Sequence, residues 1–139
     1  MEAPRIRPIV LAVIRNRGRV LVFDGEDRSH TLARFCRPPG GGIEFGESSR
    51  EALDREVREE IGCDIAAARL LGILENRFSF QDRRGHEVVF GYEVELARRD
   101  LYDLEVIPGD EGGTPMPLRW HDPAGTAVRL VPDGLRDLL

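Results

Sequence analysis

Residues Arg37 to Ile65 read RPPGGGIEFGESSREALDREVREEIGCDI. The stretch joins a glycine run, Gly40 to Gly42, to a segment with helical periodicity. Ser48 or Ser49 can cap a helix by accepting a hydrogen bond from a free backbone N–H of its first turn, and Gly62 is a good C-terminal stop. Leu53, Val57 and Ile61 recur every fourth residue, so a helix through Ile61 buries one stripe. Glu56, Glu59 and Glu60 stand at i, i+3 and i+4, so their side chains share a face beside that stripe. Like charges at this spacing oppose the helix by about 0.2–0.5 kcal/mol per pair, and Arg55 and Arg58 offset part of the cost.

Two readings of the glutamates follow from the residues alone. One is an acidic helix face kept in water. The other is a site for a hard divalent cation, which takes oxygen ligands. Mg²⁺ in particular prefers a few carboxylates together with waters and substrate phosphates. The glycine run just upstream favours the second, because a backbone carbonyl there can join the carboxylates and its N–H groups can meet phosphates. The run is neither a P-loop, since no Gly-Lys-Ser/Thr follows, nor a dinucleotide fingerprint.

Upstream, Ile9–Ile14 and Val20–Phe23 are β-rich runs joined by a hairpin at residues 15–19. Residues 24–30 are polar and read as a loop, and Leu32–Arg37 as a short strand stopped by Pro38-Pro39. Gly40 to Gly42 then reads as a flexible turn. Downstream, Leu70–Phe80 and His86–Leu96 are strand-like and joined by a turn at residues 82–85. A Gly/Pro-rich loop covers Pro108 to Pro117, a last strand Leu118–Trp120, and a short terminal helix residues 133–139. Strands before and after a helix, with hairpin connections, predict an α+β or α/β/α arrangement around a mixed sheet.

The chain has 139 residues, 41% hydrophobic and 32% charged, which suits one domain over residues 1–139 with a real core. A net charge of −5 argues against an extended nucleic-acid face, which would be basic. All 20 basic residues are Arg, each a planar fork suited to phosphate. Cys36 and Cys63 form no disulfide framework and no CxxC pair, and residues 1–8 show no signal-like apolar core. The run Ile9–Ile14 is too short to span a bilayer. A cytoplasmic protein without membrane contact is the expectation.

The glycine-to-glutamate stretch resembles the signature of the Nudix hydrolases. Gly41 opens it and Glu47 follows after five residues; seven more lead to Arg55-Glu56, then Val57, Arg58, Glu59-Glu60, Ile61 and Gly62. The signature closes at Cys63, where an aliphatic residue is usual. Cys is also small and readily buried. The resemblance implies an α/β/α sandwich around a mixed sheet, with residues 41–63 forming a loop–helix–loop.

It also implies roles. Glu56 and Glu60 would be the principal ligands of Mg²⁺, with Mn²⁺ as an alternative. Glu59 would be a further ligand or a base, and Gly40 would offer its carbonyl. Glu47 and Arg55 would pair and brace the loop against the helix. The reaction implied is hydrolysis of the pyrophosphate in a nucleoside diphosphate linked to another group X. Bound divalent ions neutralise phosphate charge and activate water in such chemistry, and a carboxylate removes the water's proton. That base is a signature glutamate or a downstream acid. Glu111, in the loop Pro108–Pro117, is the downstream candidate, ahead of Glu87 and Glu105.

Arg37 and Phe80 are the substrate-contact candidates, Phe80 as a ring on which a base could stack. The window Phe78-Ser79-Phe80-Gln81 carries neither the proline nor the tyrosine that mark some subclasses, so the sequence leaves X open. The partner implied is a small nucleotide, a nucleotide sugar, a dinucleoside polyphosphate or an oxidised nucleotide. A homodimer is allowed, although no self-complementary patch stands out. A different class is a non-catalytic nucleotide-sensing Nudix domain, against which the full set of signature glutamates argues. An isomerase of this fold would need additional groups that the sequence does not show.

Overall fold

In the computed structural model, residues 3–28 and 33–139 are described. The elements in chain order are β1 (Arg7–Val13), β2 (Arg15–Asn16), β3 (Arg19–Asp27), β4 (Ala33–Arg37), β5 (Gly40–Gly42) and α1 (Ser49–Ile61). Then follow β6 (Ile65–Phe80), β7 (Arg83–Leu96), β8 (Val106–Ile107), β9 (Asp110–Glu111), β10 (Thr114–Pro115), β11 (Leu118–His121) and β12 (Arg129–Leu130). Short 3₁₀ turns occupy Arg99–Asp103 and Leu135–Leu138. The fold is mixed α/β, as expected. The expected terminal helix is the 3₁₀ turn, so one α-helix stands among the described residues.

Strand β1 organises the molecule. It pairs parallel with β7 and antiparallel with β5, in a mixed sheet of order β5-β1-β7-β6. Its residues from Ile9 to Val13 alternate between opposite sides of the sheet because side chains in a strand point to opposite faces. Val10 and Ala12 pack with Leu53, Val57 and Ile61 of α1. Ile9, Leu11 and Val13 point the other way, Val13 toward Leu135 and Leu130. A second sheet, ordered β12-β4-β3-β11-β8, repeats the pattern. Leu21 faces the helix side, and Val20 and Val22 the opposite core. Trp120 is buried, stacked on Tyr102, and its indole N–H donates to the Leu104 carbonyl at 2.8 Å.

Several boundaries differ from the sequence reading, each for a long-range reason. β3 continues to Asp27 because β4 pairs with it from Phe23↔Arg37 to Asp27↔Ala33, so much of the expected loop is strand. His30 and Leu32 lie outside the described residues. The β6–β7 hairpin turns on Gln81 and Asp82, with φ of 51° and 61°, the left-handed pair that suits a tight two-residue connection. The strand therefore resumes at Arg83 inside the expected turn. Gly40 to Gly42 is an edge strand on β1. Gly40 takes φ 152°, and a side chain there would run into the Val10 carbonyl. Among the described residues no helix is long and apolar enough to cross a membrane.

Candidate active site

Helix α1 begins with a capping box. The Ser48 hydroxyl accepts from the Glu51 N–H at 3.1 Å, and the Ser48 N–H donates to the Glu51 carboxylate at 2.9 Å. Such a cap contributes about 1 kcal/mol and sets where the helix starts. At the other end Gly62 takes φ 79° and its N–H closes on the Val57 and Arg58 carbonyls. With both ends set, the angular position of each glutamate on the helix follows from its number.

Glu56 and Glu60 are brought together. Glu60 is only 4% exposed, rare for a carboxylate unless it is paired. Its Oε2 accepts from the Gly40 N–H at 3.2 Å, and its backbone packs against Gly109. Burial holds the Glu60 carboxyl above the usual carboxylate range; the hydrogen bond with Glu56 and the negative charges of Glu56 and Glu111 add to the shift. The absence of a side chain on Gly41 has a local cause. A Cβ built there would lie 2.5 Å from Glu56 Oε1, so the opening residue of the signature is the space that the Glu56 carboxylate occupies.

Arg55 ties the loop to the helix. Its Nε and Nη2 grip Glu47 in a bidentate pair at 2.7 and 2.9 Å, and Nη2 also donates to the Gly42 carbonyl at 2.9 Å. Its Nη1 reaches Glu56 Oε1 at 3.0 Å and Glu59 Oε2 at 3.4 Å. Hydrogen bonding to Arg55 holds the Glu47 carboxyl down at about 2, and the pairing in turn raises Arg55. Bidentate charge-assisted pairs of this kind add orientation as well as energy.

Glu59 stands apart. Its side chain is 59% exposed and leans on Arg55, so Glu56 and Glu60 converge while Glu59 lies at the rim. Among the described residues no group of three or more His, Cys, Asp or Glu side chains forms a ready-made cage. Glu111 sits on β9, which packs against α1, and it is exposed but close enough for its charge to act on Glu60. The donor set nevertheless fits a hard cation. Two carboxylates in contact, one buried, with a third acid nearby, make a pocket of negative potential that a divalent ion relieves.

Arg37 and Phe80 fall elsewhere, and together. Both line a cleft of about 720 Å³ between the two sheets, with Arg7, Arg34, Phe35, Asn76, Arg77, Phe78 and Glu87. Phe80 meets Phe35 edge to face, with centroids 5.7 Å apart. The sequence reading missed Arg7 and Asn76, because nothing local marks them. Glu87, considered there as a base, lies in this cleft and not at the carboxylate pair. Arg7 links the two regions: its Nη2 comes within 3.4 Å of where a Gly42 side chain would begin, beside the carbonyl held by Arg55.

The chain resembles known proteins over most of its length. The profile described as NUDIX domain matches residues 4–130. The chain is 29% identical over 117 residues to the uncharacterized Nudix hydrolase YvcI of Bacillus subtilis, covering 84% of this chain and 66% of that protein. It is 40% identical over 78 residues to the NAD-capped RNA hydrolase NudC of Mycobacterium tuberculosis, but that match covers 51% of this chain and only 22% of NudC. Among solved structures, the MutT NUDIX hydrolase from Burkholderia pseudomallei superposes with a TM-score of 0.61 at 19% identity, covering 96% of both chains. That likeness concerns the fold. With the signature's glycines, Arg55 and glutamates in place around a capped helix and the family profile spanning residues 4–130, the chain belongs to the Nudix hydrolase family.

Proposed function

We propose that the protein is a divalent-metal-dependent pyrophosphohydrolase acting on a nucleoside diphosphate linked to a second group. The observation that carries this is the Glu56–Glu60 pair beside the glycine strand, with Glu60 buried and Arg55 holding Glu56 in place. Glu56, Glu60 and the Gly40 carbonyl are the groups that would hold Mg²⁺ or Mn²⁺. Bound there, the cation supplies phosphate charge neutralisation and a water of lowered pKa. The chain's own residues do the rest. Arg55 fixes the loop through Glu47 and Gly42 and orients the Glu56 carboxylate. Glu111 or Glu59 receives the proton of the attacking water, each near the pair and exposed enough to pass it to solvent. The water oxygen bonds to one phosphorus as the bridging P–O bond breaks, leaving two phosphate products.

The cleft that holds Arg37 and Phe80 is the place we assign to the rest of the nucleotide. Two buried free thiols, Cys36 and Cys63, accord with a reducing cytoplasm. The test is a phosphate-release screen with nucleoside triphosphates, oxidised nucleotides, dinucleotides, nucleotide sugars and ADP-ribose. Each is run with Mg²⁺, Mn²⁺ or EDTA. Turnover that vanishes in EDTA is expected. Silence across the panel, with the cation still binding, would favour the nucleotide-sensing reading.

A further inference from the structure

The cleft between the sheets contains a carboxylate that the hydrolytic site does not use. Glu87 is 7% exposed, and its one hydrogen bond among the described residues comes from Asn76 Nδ2 at 3.5 Å. A buried carboxylate is costly to desolvate unless something satisfies it. Here the arginines of the cleft do not: Arg7, Arg37 and Arg77 line it without an ion pair among the described residues. Glu87 is therefore buried and short of partners in a space large enough for a ligand.

Its neighbours are ordered by the sheet register. Arg7, Glu87 and Asn76 are cross-strand partners on β1, β7 and β6, so they form one polar row on one face. One row to one side lie Ile9, Val89 and Leu74, an aliphatic floor. To the other side Phe78 is paired with Gly85. Its ring lies across that glycine, where any side chain would collide with it. Phe80 and Phe35 continue the aromatic wall. A ring-stacking surface thus borders a row of hydrogen-bonding groups, the combination with which proteins read an extruded base.

The polarity of the row selects among bases. Asn76 donates its amide N–H to Glu87, which leaves its Oδ1 as an acceptor, and Glu87 is acceptor-only when ionised. Next to the Arg7 guanidinium, which can only donate, the Glu87 carboxylate and the Asn76 Oδ1 thus offer adjacent acceptors. Guanine presents two donors side by side, N1–H and the exocyclic N2–H, which match a carboxylate fork. Adenine sets the lone pair of N1 against it, cytosine the lone pair of N3, and uracil flanks its single N–H with carbonyl oxygens. We propose that Glu87, with Asn76, is the base-reading element of the cleft and makes the protein selective for guanine nucleotides. The proposal rests on the nucleotide reading given above.

The test is calorimetric titration of the full chain with GDP, IDP and ADP in EDTA, where no hydrolysis intrudes. Inosine keeps N1–H and lacks the 2-amino group, so affinity should fall in the order GDP, IDP, ADP, with about tenfold or more between the first and last. Glu87→Gln keeps the shape but replaces one acceptor by a donor, and should erase the GDP preference while leaving ADP binding nearly unchanged. Asn76→Ala, which removes the second acceptor, should shrink the preference in the same direction. Equal affinity for GDP and ADP, a preference that survives Glu87→Gln, or no binding by any of the three would overturn the proposal. A Glu87-dependent GDP preference without hydrolysis of any nucleotide would keep it and remove the hydrolase reading. Metal-dependent turnover indifferent to the base would do the reverse.

Discussion

The two halves of the proposed site are built by opposite means. The carboxylate pair comes from one short stretch, residues 40–60, where a capped helix and a glycine strand place Glu56 and Glu60, and Gly109 closes over Glu60 from a distant segment. The cleft comes from β1, β3, β4, β6, β7 and the segment at residues 129–133, and only the packing of the two sheets brings them together. The first region is thus built mainly from local sequence, the second from long-range packing. On the proposed reading, chemistry belongs to the helix and substrate choice to the cleft, and substitutions in each should give different kinetics.

The largest effect should come from the helix. Glu56→Gln or Glu60→Gln keeps the shape and removes charge, so turnover should fall by about a hundredfold or more while the circular dichroism spectrum stays native. Normal turnover in both variants at saturating Mg²⁺ would dissolve the distinction between the regions. Next comes Arg55→Lys, which keeps the charge but loses the fork that holds Glu47, Gly42 and Glu56 at once. A loss of about 10–100-fold in kcat, with KM changed little, is expected for a residue that orients a ligand. A pure KM effect would make Arg55 a substrate contact instead.

Substitution in the cleft should show the mirror-image kinetics. Phe80→Leu removes a ring from the aromatic wall, so KM should rise by about 5–20-fold, the range for losing one stacked contact, with kcat close to normal. A fall in kcat alone would place Phe80 in the chemistry. The smallest effect concerns acid stability. Glu47 titrates from an ordinary value of 4.5 to about 2 in the fold. A carboxylate with a depressed folded pKa contributes stability above its unfolded value, and loses it as pH falls through the folded one. Glu47→Gln should thus flatten the stability curve between about pH 4.5 and 2 and leave it parallel to wild type at neutral pH. Identical acid profiles would show that the Arg55–Glu47 pair orients the loop without stabilising it.

How far the sequence could be read follows the same division. Caps, stripe and glutamate spacing are all local, so α1 was legible to within one residue: Ser48 caps it and Gly62 ends it. The glycine run was read as a turn because its strand character depends on β1, thirty residues upstream in register, with Val10↔Gly41. The shared face of Glu56, Glu59 and Glu60 was legible. That Glu60 alone becomes buried was not, since Gly40 and Gly109 enclose it from other segments. Arg37 and Phe80 were singled out separately, and only the packing of the two sheets puts them in one cleft. Gly85 was read as a turn residue, but it lies within β7 where the Phe78 ring needs room.

The central claim is that Glu56 and Glu60 form one cation site, and titration of Mn²⁺ followed by electron paramagnetic resonance tests it without reference to any substrate. The wild-type chain should bind Mn²⁺, and Glu56→Gln combined with Glu60→Gln should lose that binding while Glu87→Gln keeps it. Equal Mn²⁺ affinity in the wild type and the Glu56/Glu60 double variant would contradict the account.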